Sequence, residues 1–206
     1  MFLALSYNWP LMTTTSRPAT LRDHVLEVAS RLFYEKGVRN VGIDEIIKES
    51  GVARMTLYNN FGSKDQLVKE YLNLTSERFI AEYREKIERA AKSPSDRLVA
   101  AFSVLDEWFS SKDFRGCWIT NATVEMPKHD GPVRDARESY HAALRVLFLD
   151  LAREAEVSDP DELVEQLLVI QRGAIISALL ESDPAAAERA SRVAKRVVEA
   201  YLPVHA

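Results

Sequence analysis

The residues of this 206-residue chain whose types and spacing best suit a defined chemistry lie between Gly42 and Lys64. From Ser50 to Lys64 two cations, Arg54 and Lys64, occur with no carboxylate, among Ala53, Met55, Thr56, Tyr58, Asn59 and Asn60. A phosphate-lined groove repels acids. Arg54 can reach a guanine edge or a phosphate, and Thr56 a base edge or a thymine methyl. Tyr58 and Asn59 suit hydrogen bonds to phosphate. Lys64 opens a predicted helix, where free backbone N–H groups already attract an anion. The chemistry on offer is recognition of double-stranded DNA.

Other chemistry is sparse. The four histidines, His24, His129, His141 and His205, are scattered without metal-ligand spacing, and no glycine-rich phosphate loop occurs. The single cysteine, Cys117, excludes an internal disulfide or a thiolate cluster and suits a reducing cytosol. No metal and no cofactor is expected, and catalysis lacks a nucleophile with a base. Oxidation sensing at Cys117 is a separate reading. A helical interaction scaffold that binds no DNA is another.

The elements that must position Gly42 to Lys64 are helices. Leu21, Val25, Ala29, Leu32 and Phe33 recur on one face of a first helix, which Gly37 ends in a left-handed conformation. A second carries Ile43, Ile46 and Ile47 inward and closes at Gly51. The third runs through Leu57 and Tyr58 to Phe61. Two helices of about eight residues joined by a glycine turn form the helix-turn-helix unit, whose second helix enters the major groove. Ile46, Ile47, Val52, Leu57 and Phe61 fix the angle between them. Ser63 and Gln66 have capping-box spacing, so a fourth helix starts there and runs to about Lys92, roughly 43 Å at 1.5 Å per residue. It must serve two structural units. Ser93-Pro94, Asp130-Gly131-Pro132, Asp159-Pro160 and Asp183-Pro184 mark later helix starts. The predicted fold is all-α with about nine helices.

Composition agrees. Hydrophobic residues make up 47%, and seven glycines and eight prolines stand mostly at punctuation points, which excludes collagen-like and low-complexity classes. Net charge is −4, so no global attraction draws the chain to nucleic acid. Residues 17–75 hold nine basic and eight acidic side chains, whereas 76–206 hold 18 and 23. Repulsion is therefore concentrated in the second part. No apolar run approaches the roughly 18 residues of a spanning helix, and the start lacks signal-peptide features, so a soluble cytoplasmic protein without a membrane partner is expected. Met1 to Thr20 reads as a loose tail, with Met12 an alternative start.

The run Arg22 to Leu72 resembles the N-terminal DNA-binding domain of the TetR/AcrR family of transcriptional regulators. The pieces that carry the resemblance are Ala29 with Leu32-Phe33, Lys36-Gly37, Ile43 to Ile46, Gly51-Val52, Thr56-Leu57-Tyr58, Phe61, Ser63-Lys64-Asp65 and Leu67. The chain departs at Gly42, where the family usually has a threonine that caps the second helix and contacts phosphate. It departs also at Ala53, Met55 and Asn59, where serine, glycine and histidine are common. The resemblance implies a homodimer on a near-palindromic operator, usually a repressor, released when a small-molecule effector binds the C-terminal domain. It divides the chain into a tail over 1–19, a DNA-binding domain over 20–66, and a ligand-binding and dimerisation domain over 67–206.

The C-terminal helices carry two apolar stripes, which call for two partners. On the helix before the last, Leu163, Leu167, Ile170 and Ala174 form one stripe and Leu168, Ile175 and Leu179 another, Gly173, Ala174, Ser177 and Ala178 allow close approach, and Ala190, Ala194, Val197 and Tyr201 form a heptad-like seam on the last helix. The domain core can take one stripe and the same helix of a second subunit the other, as the resemblance also implies, although a core helix buried all round in a monomer gives the same pattern. Pocket candidates are Phe102, Trp108, Cys117, Trp118, Asn121, Tyr140 and His141, an apolar set with a few polar groups. Arg115 to Ala122 further resembles a Gly-Cys-x-x-x-Asn-Ala stretch in some ligand-binding domains of the family. Ordinary core packing accounts for the aromatic members equally.

Overall fold

The helical spacing is realised nearly throughout. The computed structural model describes residues 20–126, 131–181, 183 and 185–203, and among these it contains ten helices and no strand. They are α1 (Leu21–Lys36), α2 (Ile43–Ser50), α3 (Arg54–Phe61), α4 (Lys64–Ala90), α5 (Pro94–Ser103), α6 (Asp106–Phe109), α7 (Trp118–Glu125), α8 (Pro132–Glu154), α9 (Pro160–Glu181) and α10 (Ala186–Tyr201). Expectations about residues 1–19, Met12, His129, Asp130, Pro184 and His205 lie outside the described residues.

Local signals explain most boundaries and correct a few. Thr20 belongs to α1 rather than to a tail. Its hydroxyl accepts from the Asp23 N–H and the Asp23 carboxylate accepts from the Thr20 N–H, both at 3.1 Å, a complete capping box. At α4 only half the expected box forms, because Ser63 Oγ accepts from the Gln66 N–H while the Gln66 side chain turns to Glu70. Ser93 and Asp159 cap α5 and α9 as predicted. Asp183 accepts from the Ala185 N–H at 2.8 Å, one residue ahead of α10. Gly37 has φ of +89° but an extended ψ of 145°, so it ends α1 outside the left-handed helical region. After Ser103 the chain breaks at Val104 and Leu105, so that α5 is followed by the one-turn α6.

The chain forms two compact units. The first comprises residues up to Phe79 together with Trp118–Glu138, and the second Ile80–Cys117 with Ser139–Ala206. This departs from the boundary expected at residue 66: the first unit keeps α4 as far as Phe79 and gains α7. In the first unit α1, α2 and α3 pack on one another over buried Val25, Phe33, Ile46, Leu57, Phe61 and Leu67. Trp118 joins α7 to this unit. Its indole N–H donates to Ser76 Oγ at 3.0 Å, and its ring lies 5.0 Å from that of Phe79. Lys69 on α4 meets Asp135 on α8 at 3.0 Å, and the ammonium holds that carboxyl below its usual range.

In the second unit α10 packs against α5 and α9. Ala187 and Ala194 are fully buried there, small residues that let helices approach closely. The α4 segment from Ile80 supplies Tyr83, whose hydroxyl donates to the Ala101 carbonyl at 2.5 Å and accepts from Gln171 Nε2 at 3.2 Å. Contrary to the sequence expectation, α9 is long and apolar enough to cross a membrane by composition. Burial of Leu163, Val164, Leu167, Leu168 and Ala174 within this unit accounts for much of that apolarity.

Because Trp118 is almost wholly buried, Trp118→Ala removes an aromatic core side chain and should cost about 3–5 kcal/mol. Urea unfolding of the full chain, compared with wild type, measures it.

Candidate nucleic-acid interface

Eight residues are too few to hold a helix in water, so α2 and α3 depend on the apolar side chains beneath them. Gly51, at φ +69° and ψ 13°, takes the left-handed conformation that closes α2, with its N–H on the Ile47 carbonyl at 2.9 Å. Ile46, Val52, Leu57 and Phe61 are buried as predicted, whereas Ile47 is only partly so. Contacts with α1 brace the unit. His24 Nε2 lies 3.1 Å from the Ser50 carbonyl, Lys36 pairs with Glu45 at 2.6 Å, and the Arg22 guanidinium sits 5.0 Å above the Phe61 ring.

The opposite face of α3 is open. Ala53, Arg54, Met55, Tyr58 and Asn59 are exposed, and Thr56, Asn60 and Lys64 are partly exposed. Met55 stands 69% exposed at the second position of α3. Asn60 differs from expectation, since its Nδ2 donates to the Thr56 carbonyl at 2.7 Å and is committed to its own helix. Arg54 is also engaged, paired with Asp44 in the first turn of α2. The absence of acids from Ser50 to Lys64 is a property of the sequence run, and folding brings Asp44 to it from outside. Both partners are solvent-exposed, so the pair adds little stability and can be exchanged for phosphate or base at small cost.

Lys64, at the first position of α4, reaches the Arg39 carbonyl at 3.5 Å. Burial lowers its pKa, and the nearby carboxylates of Asp65 and Glu125 oppose the shift. Glu125 comes from α7 and accepts from the Arg39 N–H at 2.9 Å. Sequence reading missed Arg39, Asp44 and Glu125. Arg39 lies just before the motif and Asp44 within it, both legible as charges, but only packing brings Glu125 there.

The other candidate sites fare unevenly. Phe102, Trp108, Cys117, Tyr140 and the partly exposed His141 belong to the second unit, while Trp118 and the partly exposed Asn121 belong to the first. Phe102 packs on Phe148 and Trp108 on Phe109 and Phe114, which makes both aromatic core residues. Trp118 is held by Ser76 and Phe79. Within the second unit, His141 Nδ1 lies 3.4 Å from the Arg172 guanidinium, and burial raises the pKa of the Tyr140 hydroxyl. Tyr83 joins this polar set from the far end of α4, and the buried Gln171 joins it without having been predicted, since it falls between two apolar stripes and reads as a surface residue.

The expected dimer residues need correction. Leu163, Leu167, Ala174, Ala190 and Ala194 are buried within the protomer itself, and Tyr201 accepts from Gln166 at 2.8 Å. Ile170, Ser177 and Val197 are partly exposed, and Gly173 is exposed. Left outward on α9 are Val169 at 65% exposure, Ile176 at 41% and Leu180 at 77%. With Gly173 they recur at spacings of four, three and four.

Residues 25–71 match the family profile described as bacterial regulatory proteins, tetR family, and residues 94–194 match the tetracyclin repressor-like C-terminal domain. The chain belongs to the TetR family. It is 27% identical over 122 residues to the transcriptional repressor ComR of Escherichia coli, a match covering 59% of this chain and 58% of ComR. It is 26% identical over 142 residues to the repressor KstR2 of Mycolicibacterium smegmatis, covering 68% and 67%. The structure resembles a TetR-family regulator from Streptomyces coelicolor, with a TM-score of 0.78, 26% identity and coverage of 89% of this chain and 96% of that one. A TetR-type regulator from Streptomyces avermitilis gives a TM-score of 0.77, 26% identity and coverage of 88% and 98%.

The TetR resemblance makes Gly42 informative. It caps α2 by backbone alone, without a side-chain hydrogen bond, and a β-carbon there meets nothing within 4 Å. Gly42→Ser therefore fits and supplies the missing acceptor, and it should stabilise the chain by a few tenths of a kcal/mol, read as a higher urea midpoint.

Proposed function

We propose that this TetR-family chain is a homodimeric repressor that grips a near-palindromic operator with α3 and leaves it when a small molecule binds its C-terminal unit. The observation that carries the reading is the outward face of α3, exposed and with no acidic residue of its own, flanked by Lys64 at the start of α4. The first turn of such a helix meets base edges, and a helix N-terminus bearing a cation meets phosphate. Arg54, Met55 and Thr56 then face bases, with Arg54 exchanging Asp44 for a guanine edge or a phosphate. Tyr58, Asn59 and Lys64 face the backbone. Gly42 offers only its N–H side to phosphate. Half-sites read by paired helices lie about 34–36 Å apart or at a multiple of that distance.

The second subunit is proposed to cover Val169, Gly173, Ile176 and Leu180 of α9, with Val193 of α10 beside them. A seam of that spacing pairs helices, and Gly173, with open space at its β-position, permits close approach. The effector is proposed to sit in the second unit near Tyr83, Tyr140 and Gln171, whose polar atoms orient a ligand in otherwise apolar surroundings. Effector and operator then bind different states of one dimer, and their effects are reciprocal. A hundredfold loss of operator affinity corresponds to about 2.7 kcal/mol of coupling. The protein acts in the cytoplasm, where the DNA is.

Selection from a random duplex pool tests the function directly: enrichment of a two-fold symmetric sequence is expected, and no enrichment at low salt overturns it. On that duplex Lys64→Ala should lessen the slope of log affinity against log salt by roughly 0.9 per subunit, and an unchanged slope removes Lys64 from the phosphate contacts. Ile176→Glu combined with Leu180→Glu should give monomers by light scattering, with helical content intact. A persisting dimer would move the interface elsewhere.

A further inference from the structure

Helix α7 ends at Glu125, whose carboxylate lies against the turn between α1 and α2. The Arg39 N–H donates to Glu125 Oε2 at 2.9 Å. A β-carbon on Gly37 would stand 2.7 Å from Oε1 and 2.8 Å from Oε2, closer than non-bonded carbon and oxygen approach, so the seat exists because residue 37 has no side chain. Its φ of +89° is likewise one that glycine adopts freely. The Arg39 carbonyl, on the other side of the same residue, accepts from Lys64 Nζ at 3.5 Å. One turn residue thus holds Glu125 by its N–H and Lys64 by its C=O. The turn is further tied to α1, since Asn40 Nδ2 donates to the Lys36 carbonyl at 2.9 Å.

A carboxylate beside a phosphate-binding lysine is electrostatically unfavourable for DNA, which makes its presence there informative. We propose that Glu125 is a positioning residue for DNA binding: it pins the Gly37–Arg39 turn so that the Arg39 carbonyl keeps Lys64 directed at the operator phosphate. The proposal rests on the DNA-binding reading of Lys64 given above. It places the end of α7 among the determinants of operator affinity, although α7 falls within the stretch matched by the C-terminal family profile. A shift of α7 that withdraws Glu125 releases the turn and frees the lysine to wander. The sign of the effect separates this role from plain charge. Removing a negative group near DNA should tighten binding if Glu125 only repels phosphate. It should weaken binding if Glu125 is a strut.

The test uses the full chain as wild type, Glu125→Ala, Glu125→Gln and Lys64→Ala. Amide hydrogen exchange is measured without DNA, and affinity is measured for the duplex enriched by wild type across a salt series. In Glu125→Ala the Arg39 amide should exchange at least tenfold faster while the Leu57 and Leu67 amides keep their protection, which shows that the fold is intact. Operator affinity should fall at least threefold, with a salt slope moving toward that of Lys64→Ala. Glu125→Gln retains an acceptor for the Arg39 N–H and should recover part of both losses. Unchanged exchange at Arg39, or tighter binding by Glu125→Ala, overturns the proposal. If wild type enriches no duplex, the DNA-binding reading fails, and the exchange measurement still decides whether Glu125 holds the turn.

Discussion

The DNA-binding reading of this protein depends on burial of Ile46, Leu57 and Phe61 where α1, α2 and α3 pack on one another. Eight-residue helices have no independent stability, so the direction in which α3 presents Arg54, Met55, Thr56, Tyr58 and Asn59 is set from below, by apolar contact. The polar face contributes almost nothing to holding itself in place. This division leaves the outward residues available for a partner, because the fold does not need them. Asn60 is the exception, turned back onto the Thr56 carbonyl.

Electrostatics in this protein is a local matter. A net charge of −4 gives no long-range pull toward DNA, and the cations of the first unit are mostly paired, Arg22 with Glu70, Lys36 with Glu45 and Arg54 with Asp44. Such exposed pairs add little to stability. Their more telling effect is to hold long side chains close to the surface they serve while leaving exchange for phosphate inexpensive. Lys64 differs in that burial and a backbone carbonyl, more than a single carboxylate, define its surroundings.

The second unit is organised around a different device. Tyr83, Gln171 and the Ala101 carbonyl form a buried hydrogen-bonded chain inside an aromatic and aliphatic core. Buried polar groups that satisfy one another fix a unique arrangement, and they are also the groups that a ligand with its own donors and acceptors can recruit. Helix α9 has one stripe committed to this core and another left outward, which explains how a helix apolar enough to cross a bilayer belongs in a helical bundle whose outward seam suits a second copy of the chain.

Sequence alone determined the helical class, most helix starts, and the inward and outward faces of α2 and α3, because each of these depends on spacing and capping within a few residues. The family likeness was legible for the same reason, carried by a run of about fifty residues. Tertiary structure decided what depends on distant parts of the chain meeting. It moved Leu163, Leu167, Ala174, Ala190 and Ala194 into the protomer core, since two apolar stripes on one helix look alike until a neighbour takes one. It joined α7 to the first unit through Trp118 and Ser76, brought Asp44 to Arg54, and set Glu125 on a glycine 88 positions earlier. A pattern read along the chain records which residues seek burial or a partner. Only closure of the chain on itself settles which partner each one finds.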